Sequence, residues 1–349
     1  MRNTSRLSLR QAYIPERDSK LIFEPIYKPA LWATKGTVTT MKIGIDLGGT
    51  TVSMGVVDDN YKIVAEAEFP TADCKTPKEL SDIVINGTKK LLEENKISKE
   101  QITFIGMGCP GEIDTEKGIA VAADNLPIDK IPFAKLLSEA FDAPAKLDND
   151  ANCAAWGEHM AGVSKGYKNI VTVTLGTGIG GGIIVDGKLL HGKENHAGEI
   201  GHMVIDIHGK RCGCGRIGCW ETVASTRALI KEVEHQARYA PNSRLGKLIA
   251  ANGGNANGKT LFIAMSEEDN MARSIFNDWI RSLEVGMWNV INIFRPDMIV
   301  ISGGISKEGE NLLAPLRNAV GKCSTLIRAG RLGGNAGLIG AAALDEMNI

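Results

Sequence analysis

The 349-residue chain has no excess of charge, since 40 basic and 41 acidic residues leave a formal net charge of -1. No global field therefore draws it to nucleic acid or to an anionic membrane. It has no run of eighteen apolar residues, which excludes a membrane-spanning helix, and no basic, apolar and small-residue succession at its start of the kind a secretory signal needs. A disulfide framework is missing too. Seven cysteines are an odd number, and Cys74, Cys109, Cys153 and Cys323 are scattered around one tight group. These absences predict a soluble cytoplasmic protein with neither nucleic acid nor membrane as partner.

The length is too great for one compact core and suits two lobes. Residues 1–40 differ from the rest, with scattered proline, mixed charge and no clear period, and read as an N-terminal extension, a tag or an upstream start. The segment carries no helix-turn-helix pattern. From Met41 onward strands and helices alternate. MKIGIDLGG, TVSMGVVDD and YKIVAEAEF form a β-meander turning at Asp58-Asp59-Asn60. A helix over 77–96 follows, with Leu80, Ile83, Val84, Leu91 and Leu92 at helical spacing and Pro77 in its first turn. Residues 102–108 read as a buried strand, PAKLDND as a strand ending at Asp148-Asn149-Asp150, and 151–161 as a helix. The stretch from Ile275 through Ile280, Leu283, Met287 and Ile291 to Phe294 is a helix whose apolar stripe serves core or interface.

NIVTVTLGTGIGGGIIVDGKLL repeats the plan of KIGIDLGGTTVSMGVVDDNYKIV, which predicts a duplicated fold. Both copies carry a Gly/Thr cluster at the first hairpin turn: Gly48, Gly49, Thr50 and Thr51 in one, Gly176, Thr177 and Gly178 in the other. Such turns expose backbone N–H groups and hydroxyls without side-chain bulk, which suits a polyphosphate. No GKS or GKT follows either turn, and neither leads from strand into helix, so Walker and dinucleotide readings fail. Asp46, just before the first turn, is placed to bind Mg²⁺ through water or to cap the turn. A third glycine pair, Gly303 and Gly304, ends the strand over 297–302 and would let a flat base or ribose approach the backbone.

Cys212, Cys214 and Cys219 lie within one short segment interleaved with Gly213, Gly215 and Gly218. Three thiolates and one imidazole make a tetrahedral zinc set, and a site with no position left open is structural rather than catalytic. By spacing alone His196, His202 and His208 all compete as the nitrogen ligand, and a disulfide or plain buried thiols remain the alternative. Glu199 and Glu221 flank the clip and could hold polar groups of a substrate.

The motifs DLGGTT, CPGEID, NLP, LDNDAN, LGTGIGGGIIVDGKLLHG, HAGEIGH, CGCGRIGCWETVAS and ISGGIS resemble, in order and distance, those of the ROK family of sugar kinases and repressors. The likeness is greatest to the bacterial glucokinases and runs from Met41 to the C-terminus. It implies an α/β fold of the two-lobed, actin-like ATPase type, ribonuclease H-like, with duplicated β-meander lobes and a structural zinc clip. The smaller lobe would comprise 41–155 with about 335–349, and the larger 156–334.

The resemblance also implies residue roles. Asp150 matches the catalytic base, which from local sequence alone could equally be a helix N-cap. Asn125, Asn149, Asp150, Glu199, His202 and Glu221 match sugar contacts, and His202, Cys212, Cys214 and Cys219 match zinc ligands. Asp46, Gly48, Gly49, Thr50, Thr51, Gly176, Thr177, Gly178, Gly303 and Gly304 would bind ATP with Mg²⁺. Thr51 stands where many family members carry Lys, so no basic side chain is assigned to the phosphates there. The implied activity is ATP-dependent phosphorylation of the glucose 6-hydroxyl. N-acetylglucosamine, N-acetylmannosamine, mannose, fructose and allose are alternatives, a non-catalytic sugar-binding regulator a remote one, and a homodimer or homotetramer is expected.

Overall fold

The computed structural model describes Tyr27–Lys28 and residues 40–347. Strand β1 (Tyr27–Lys28) pairs antiparallel with β4, Tyr27 opposite Ala67 and Lys28 opposite Glu66. Two residues of the segment expected to stand apart thus extend a sheet, and the remainder of 1–39 lies outside the described residues. β2 (Met41–Leu47), β3 (Thr51–Val57) and β4 (Ile63–Pro70) form the expected antiparallel meander. Ile43, Ile45 and Leu47 share one face of the central strand β2 and are fully buried in the first core, while Gly44 on the other face lets Leu338 approach. α1 (Pro77–Glu94) starts at Thr76, whose hydroxyl accepts from the Glu79 N–H while the Glu79 carboxylate accepts from the Thr76 N–H. This reciprocal cap contributes about 1 kcal/mol and fixes where the helix begins.

β5 (Ile102–Cys109) then runs parallel to β2. Three short strands, β6 (Glu112–Asp114), β7 (Ile119–Ala122) and β8 (Asp129–Ile131), make a separate small sheet that the sequence pattern did not reveal. α2 (Phe133–Phe141) leads into β9 (Ala145–Asn149), which is parallel to β5 and completes the order β1-β4-β3-β2-β5-β9.

After α3 (Asp150–Met160) the plan repeats. β10 (Ile170–Leu175), β11 (Ile179–Val185) and β12 (Lys188–Leu189) form a second antiparallel meander. A long irregular segment precedes α4 (Glu221–Ala224), α5 (Thr226–Tyr239), α6 (Arg244–Ala251), α7 (Thr260–Ser266) and α8 (Asn270–Phe294). β13 (Met298–Ser302), α9 (Glu310–Val320) and β14 (Leu326–Ala329) finish the sheet in the order β12-β11-β10-β13-β14, with β10, β13 and β14 parallel. With β1 set aside, both sheets place three antiparallel strands before two parallel ones. Ile275, Ile280, Leu283, Met287 and Ile291 of α8 are buried in the second core, so that stripe belongs to the core.

The two sheets are joined by exchanged helices. α3 follows the first sheet but packs on β11, whereas α10 (Ala336–Ala342) follows the second and packs on β2 and β5. Small residues make this closeness possible: a Cβ on Gly340 would strike the Cys153 carbonyl, and one on Gly106 would strike the Ala341 carbonyl. Cys153, Trp156, Ile170, Ile184, Val300 and Leu344 fill the layer between, where the Trp156 indole donates to the Ala343 carbonyl at 2.9 Å. Among the described residues no helix is long and apolar enough to cross a membrane.

Candidate active site

The turn from β9 into α3 sets the first functional side chain. Asn149, not Asp150, is the N-cap: its Oδ1 accepts from the N–H groups of Ala151 at 2.9 Å and Asn152 at 3.4 Å. Asp150 is the first helical residue and uses Oδ1 to accept from Ala151 at 2.8 Å, leaving Oδ2 outside the capping bonds. Burial raises its pKa, the Ala151 N–H bond partly opposes this, and the charge of Glu199 raises it further.

Glu199 comes near because of the glycines of β11. On one face Gly180 and Gly182 let α3 approach, since a Cβ on Gly182 would strike Ala155 and one on Gly180 would lie 3.0 Å from the Ala151 Cβ. On the other face Gly181 makes room for Gly198 and Ile200. The glycine run 180–182 thus acts as a spacer, drawing the start of α3 and the 198–202 segment onto one strand.

His202 stands between the two carboxylates expected beside the clip. Its Nε2 lies 3.9 Å from Glu199 Oε2, and its Nδ1 lies 3.7 Å from Glu221 Oε1 and 3.6 Å from Cys212 Sγ. The Glu221 carboxylate also accepts from the Cys212 thiol at 3.0 Å and faces Gly178, where a Cβ would lie 2.5 Å away. Glu221 therefore links the second Gly/Thr turn to the cysteine group.

One ligand atom each from His202, Cys212, Cys214 and Cys219 falls within 4.8 Å of all the others. All seven cysteines are free thiols, and His196 and His208 are exposed outside this group. Cys214 Sγ and Cys219 Sγ are 3.6 Å apart. A bonded pair would be about 2 Å apart. Tetrahedral Zn–S bonds of about 2.3 Å imply about 3.8 Å between sulfurs, so the donor set fits zinc. Its knuckle is built on Gly215 and Gly218 at φ 89° and 78°. Trp220 anchors the knuckle to the second core, fully buried against Gly286 and donating to the Ser282 carbonyl at 2.8 Å.

On the first sheet, Gly48 donates to the Thr51 carbonyl at 2.8 Å and closes the turn between β2 and β3. Gly48 is partly buried, Gly49, Thr50 and Thr51 are exposed, and a Cβ on Gly49 would lie 3.7 Å from the Cβ of the exposed Asn125. Asp46 is pushed up to about 7, first by burial and then by the Asp150 charge. Two carboxylates that oppose one another's ionisation suit a site entered by a cation.

A cleft of about 1000 Å³ opens beside the second turn. Gly176, Thr177 and Gly304 line it, while Gly178 and Gly303 do not. Gly303 instead packs its backbone on Leu175 at φ 94°. The sequence reading missed Thr226, Arg227, Lys231 and Glu234 of α5 and Asn257, Lys259 and Lys307 on the same walls. It also missed the pair of His191 Nε2 and Asp148 Oδ2 at 2.7 Å, whose only signal was a carboxylate ending a buried strand.

The α/β fold, with two sheets joined by exchanged helices, matches that of solved sugar-kinase structures. The chain belongs to the ROK family, whose model matches residues 42–347. It is 33% identical over 315 residues to a glucokinase of Streptomyces coelicolor, covering 87% of this chain and 97% of the relative. A glucokinase of Thermotoga maritima is 36% identical over 279 residues, covering 80% and 86%. An N-acetylmannosamine kinase of Salmonella typhi is 32% identical over 308 residues, covering 87% and 98%. The crystal structure of a ROK glucokinase from Streptomyces griseus with glucose and AMPPNP superposes with a TM-score of 0.76 at 31% identity, covering 87% of this chain and 98% of that one.

Proposed function

We propose that the chain is an ATP:hexose 6-phosphotransferase with glucose as its acceptor. The observation that carries the reading is Asp150, the first residue of α3, whose Oδ1 accepts from Ala151 while Oδ2 is outside the capping bonds, with the Glu199 charge raising its pKa. In the mechanism we assign, Asn125, Asn149, Glu199, His202 and Glu221 hold sugar hydroxyls. Asp150 accepts the proton of the 6-hydroxyl as that oxygen attacks the γ-phosphate of ATP, a contribution of about 10²- to 10⁴-fold. A carboxylate of raised pKa is the stronger base for this task. Asp46 would hold Mg²⁺, which would neutralise phosphate charge when bound, and the turns at 48–51 and 176–178 would donate N–H groups to phosphate oxygens, which is most of what a loose phosphoryl-transfer transition state requires.

The base and ribose would occupy the cleft lined by Gly176, Thr177 and Gly304, with Gly303 shaping the turn beneath. The basic side chains at 227, 231, 259 and 307 add to the neutralisation that the first turn, with Thr51, cannot supply. Zinc bound by His202, Cys212, Cys214 and Cys219 would supply rigidity. His202 would then keep Nδ1 on the cluster and direct Nε2 to the sugar. We assign a smaller lobe of 41–155 with about 335–349 and a larger lobe of 156–334, closing over both substrates to exclude water. We expect a cytoplasmic homodimer or homotetramer, which light scattering of the purified protein would read.

Likeness to the two glucokinases supports glucose, and likeness to the N-acetylmannosamine kinase supports the acetylated alternative. Sugar-dependent ADP release from Mg-ATP across glucose, mannose, fructose, N-acetylglucosamine and N-acetylmannosamine separates them. Glucose dominance is expected. Preference for an acetylated sugar would move the substrate but keep the mechanism, and silence on every sugar would overturn the kinase reading.

A further inference from the structure

The segment after β12 bonds a loop of the second sheet to the first sheet and to its small satellite. His191 reaches across to Asp148, the 1% exposed residue one step before the N-cap of α3. The other oxygen of Asp148 accepts from the Asn149 N–H at 2.7 Å and from the Asn152 side-chain amide at 2.9 Å. Asp148 thus grips both ends of the turn that contains Asp150. Four residues on, Asn195 donates to the Ile113 carbonyl at 3.1 Å and accepts from the Thr115 hydroxyl at 3.0 Å. Between these anchors Glu194 and Asn195 adopt φ values of 57° and 60°, left-handed backbone in two successive non-glycine residues. Such backbone persists only where surrounding bonds over-determine it.

We propose that His191 is a positioning residue for phosphoryl transfer: through Asp148 it fixes the Asn149–Asp150 turn, and with Asn195 it straps the sugar-site loop of the second sheet to the first. The inference rests on the reading of Asp150 as the base. The ring has two partners, Asp148 at Nε2 and the Leu189 carbonyl, so an imidazolium satisfies both and a neutral ring only one. The same strap runs directly into Glu199 through the Ala197 N–H bond to the His191 carbonyl at 2.9 Å. A displacement of His191 would therefore disturb the base and a sugar contact together. About 1 Å of misplacement is enough to cost on the order of 100-fold in rate.

The test compares the full-length wild type with His191→Leu, which removes the donor, and His191→Gln, whose amide can still donate to Asp148. Steady-state ADP release with glucose and Mg-ATP is read beside hydrogen–deuterium exchange of peptides spanning 147–152 and 191–197. The Leu variant should lose about 10- to 100-fold in kcat with KM for ATP within about threefold, and the Gln variant should recover most of the loss. Exchange should rise in both segments of the Leu variant. If that variant does not fold, His191→Asn, whose shorter amide falls short of Asp148, is read in the same way. Unchanged kcat with raised exchange would make the residue merely structural, and unchanged exchange would overturn the strap. A wild type silent on every sugar would remove the kinase reading, while the exchange result would still decide whether the strap exists.

Discussion

Gly337, at the start of α10, stands against the carboxylate of Asp46 with no room for a methyl group between them. Its backbone lies outside the left-handed region, so the constraint is space alone. Gly337→Ala should therefore leave the fold intact and move Asp46, lowering kcat/KM for Mg-ATP by about 10- to 100-fold. Kinetics and a melting curve on the same sample decide it. A variant with wild-type kinetics would show that Asp46 does not act on the metal-bound phosphates.

Asp150→Asn keeps the size and the Oδ1 acceptor of the residue but removes the base. The expected outcome is a kcat loss of about 10²- to 10⁴-fold with glucose binding, read by calorimetry, changed by only a few-fold. Since Asp150 is one of the charges holding the Asp46 pKa up, the same change should bring Asp46 back toward the ordinary carboxylate range. Activity within about tenfold of wild type would end the base assignment.

Metal analysis of the purified protein should find zinc in equal number to chains. Cys214 is the exposed ligand, so Cys214→Ser is the substitution least able to disturb the core directly. It should lose the metal, and because His202 and Glu221 both touch the cluster, it should weaken glucose binding by about 10- to 100-fold. Zinc-free protein with unaltered affinity for glucose would detach the cluster from the sugar site.

Neighbouring glycines at the end of β13 should respond oppositely. Gly303 has φ 94° and its Cβ would strike the Leu175 carbonyl, so Gly303→Ala should destabilise the protein by about 1 to 3 kcal/mol. Gly304 faces open space on the cleft wall, so Gly304→Leu should fold normally and raise KM for ATP while sparing glucose affinity. Thermal melts and two KM measurements separate these effects. An unchanged KM for ATP in the Gly304→Leu variant would move the nucleotide elsewhere.

Much of this was legible because several signals coincide along the chain. Met41–Leu47 and Ile170–Leu175 are strands with buried centres, each followed by a glycine turn, and the repeated pattern predicted the repeated sheet order. The cysteine group was legible because ligand chemistry tolerates few spacings. Three further features were not. β6 to β8 are too short to show a period. Arg227, Lys231 and Glu234 lie on α5 as an ordinary solvated helix face, and the segments at 175–177, 257–259 and 304–308, distant in the chain, make that face a wall. His191 pairs with Asp148 across 43 positions, and no local rule joins a loop histidine to a carboxylate at that distance in the chain.

The His191–Asp148 pair also has a signature in stability that its kinetics do not duplicate. The His191 pKa is raised by the hydrogen bond to Asp148, against burial, with the Asp148 charge and the Leu189 carbonyl adding to the rise. A histidine whose folded pKa exceeds its unfolded value of about 6.5 contributes stability that is fully present below that value and is lost as pH rises through the folded pKa. Among the described residues the charged group hydrogen-bonded to the ring is Asp148, at 2.7 Å. The melting-temperature difference between wild type and His191→Gln should therefore be largest near pH 6 and shrink toward pH 9, because the glutamine amide stays neutral throughout. A difference that is flat across this window would mean that the ring holds Asp148 as a neutral donor. The strap would then owe its hold to geometry, with charge contributing nothing.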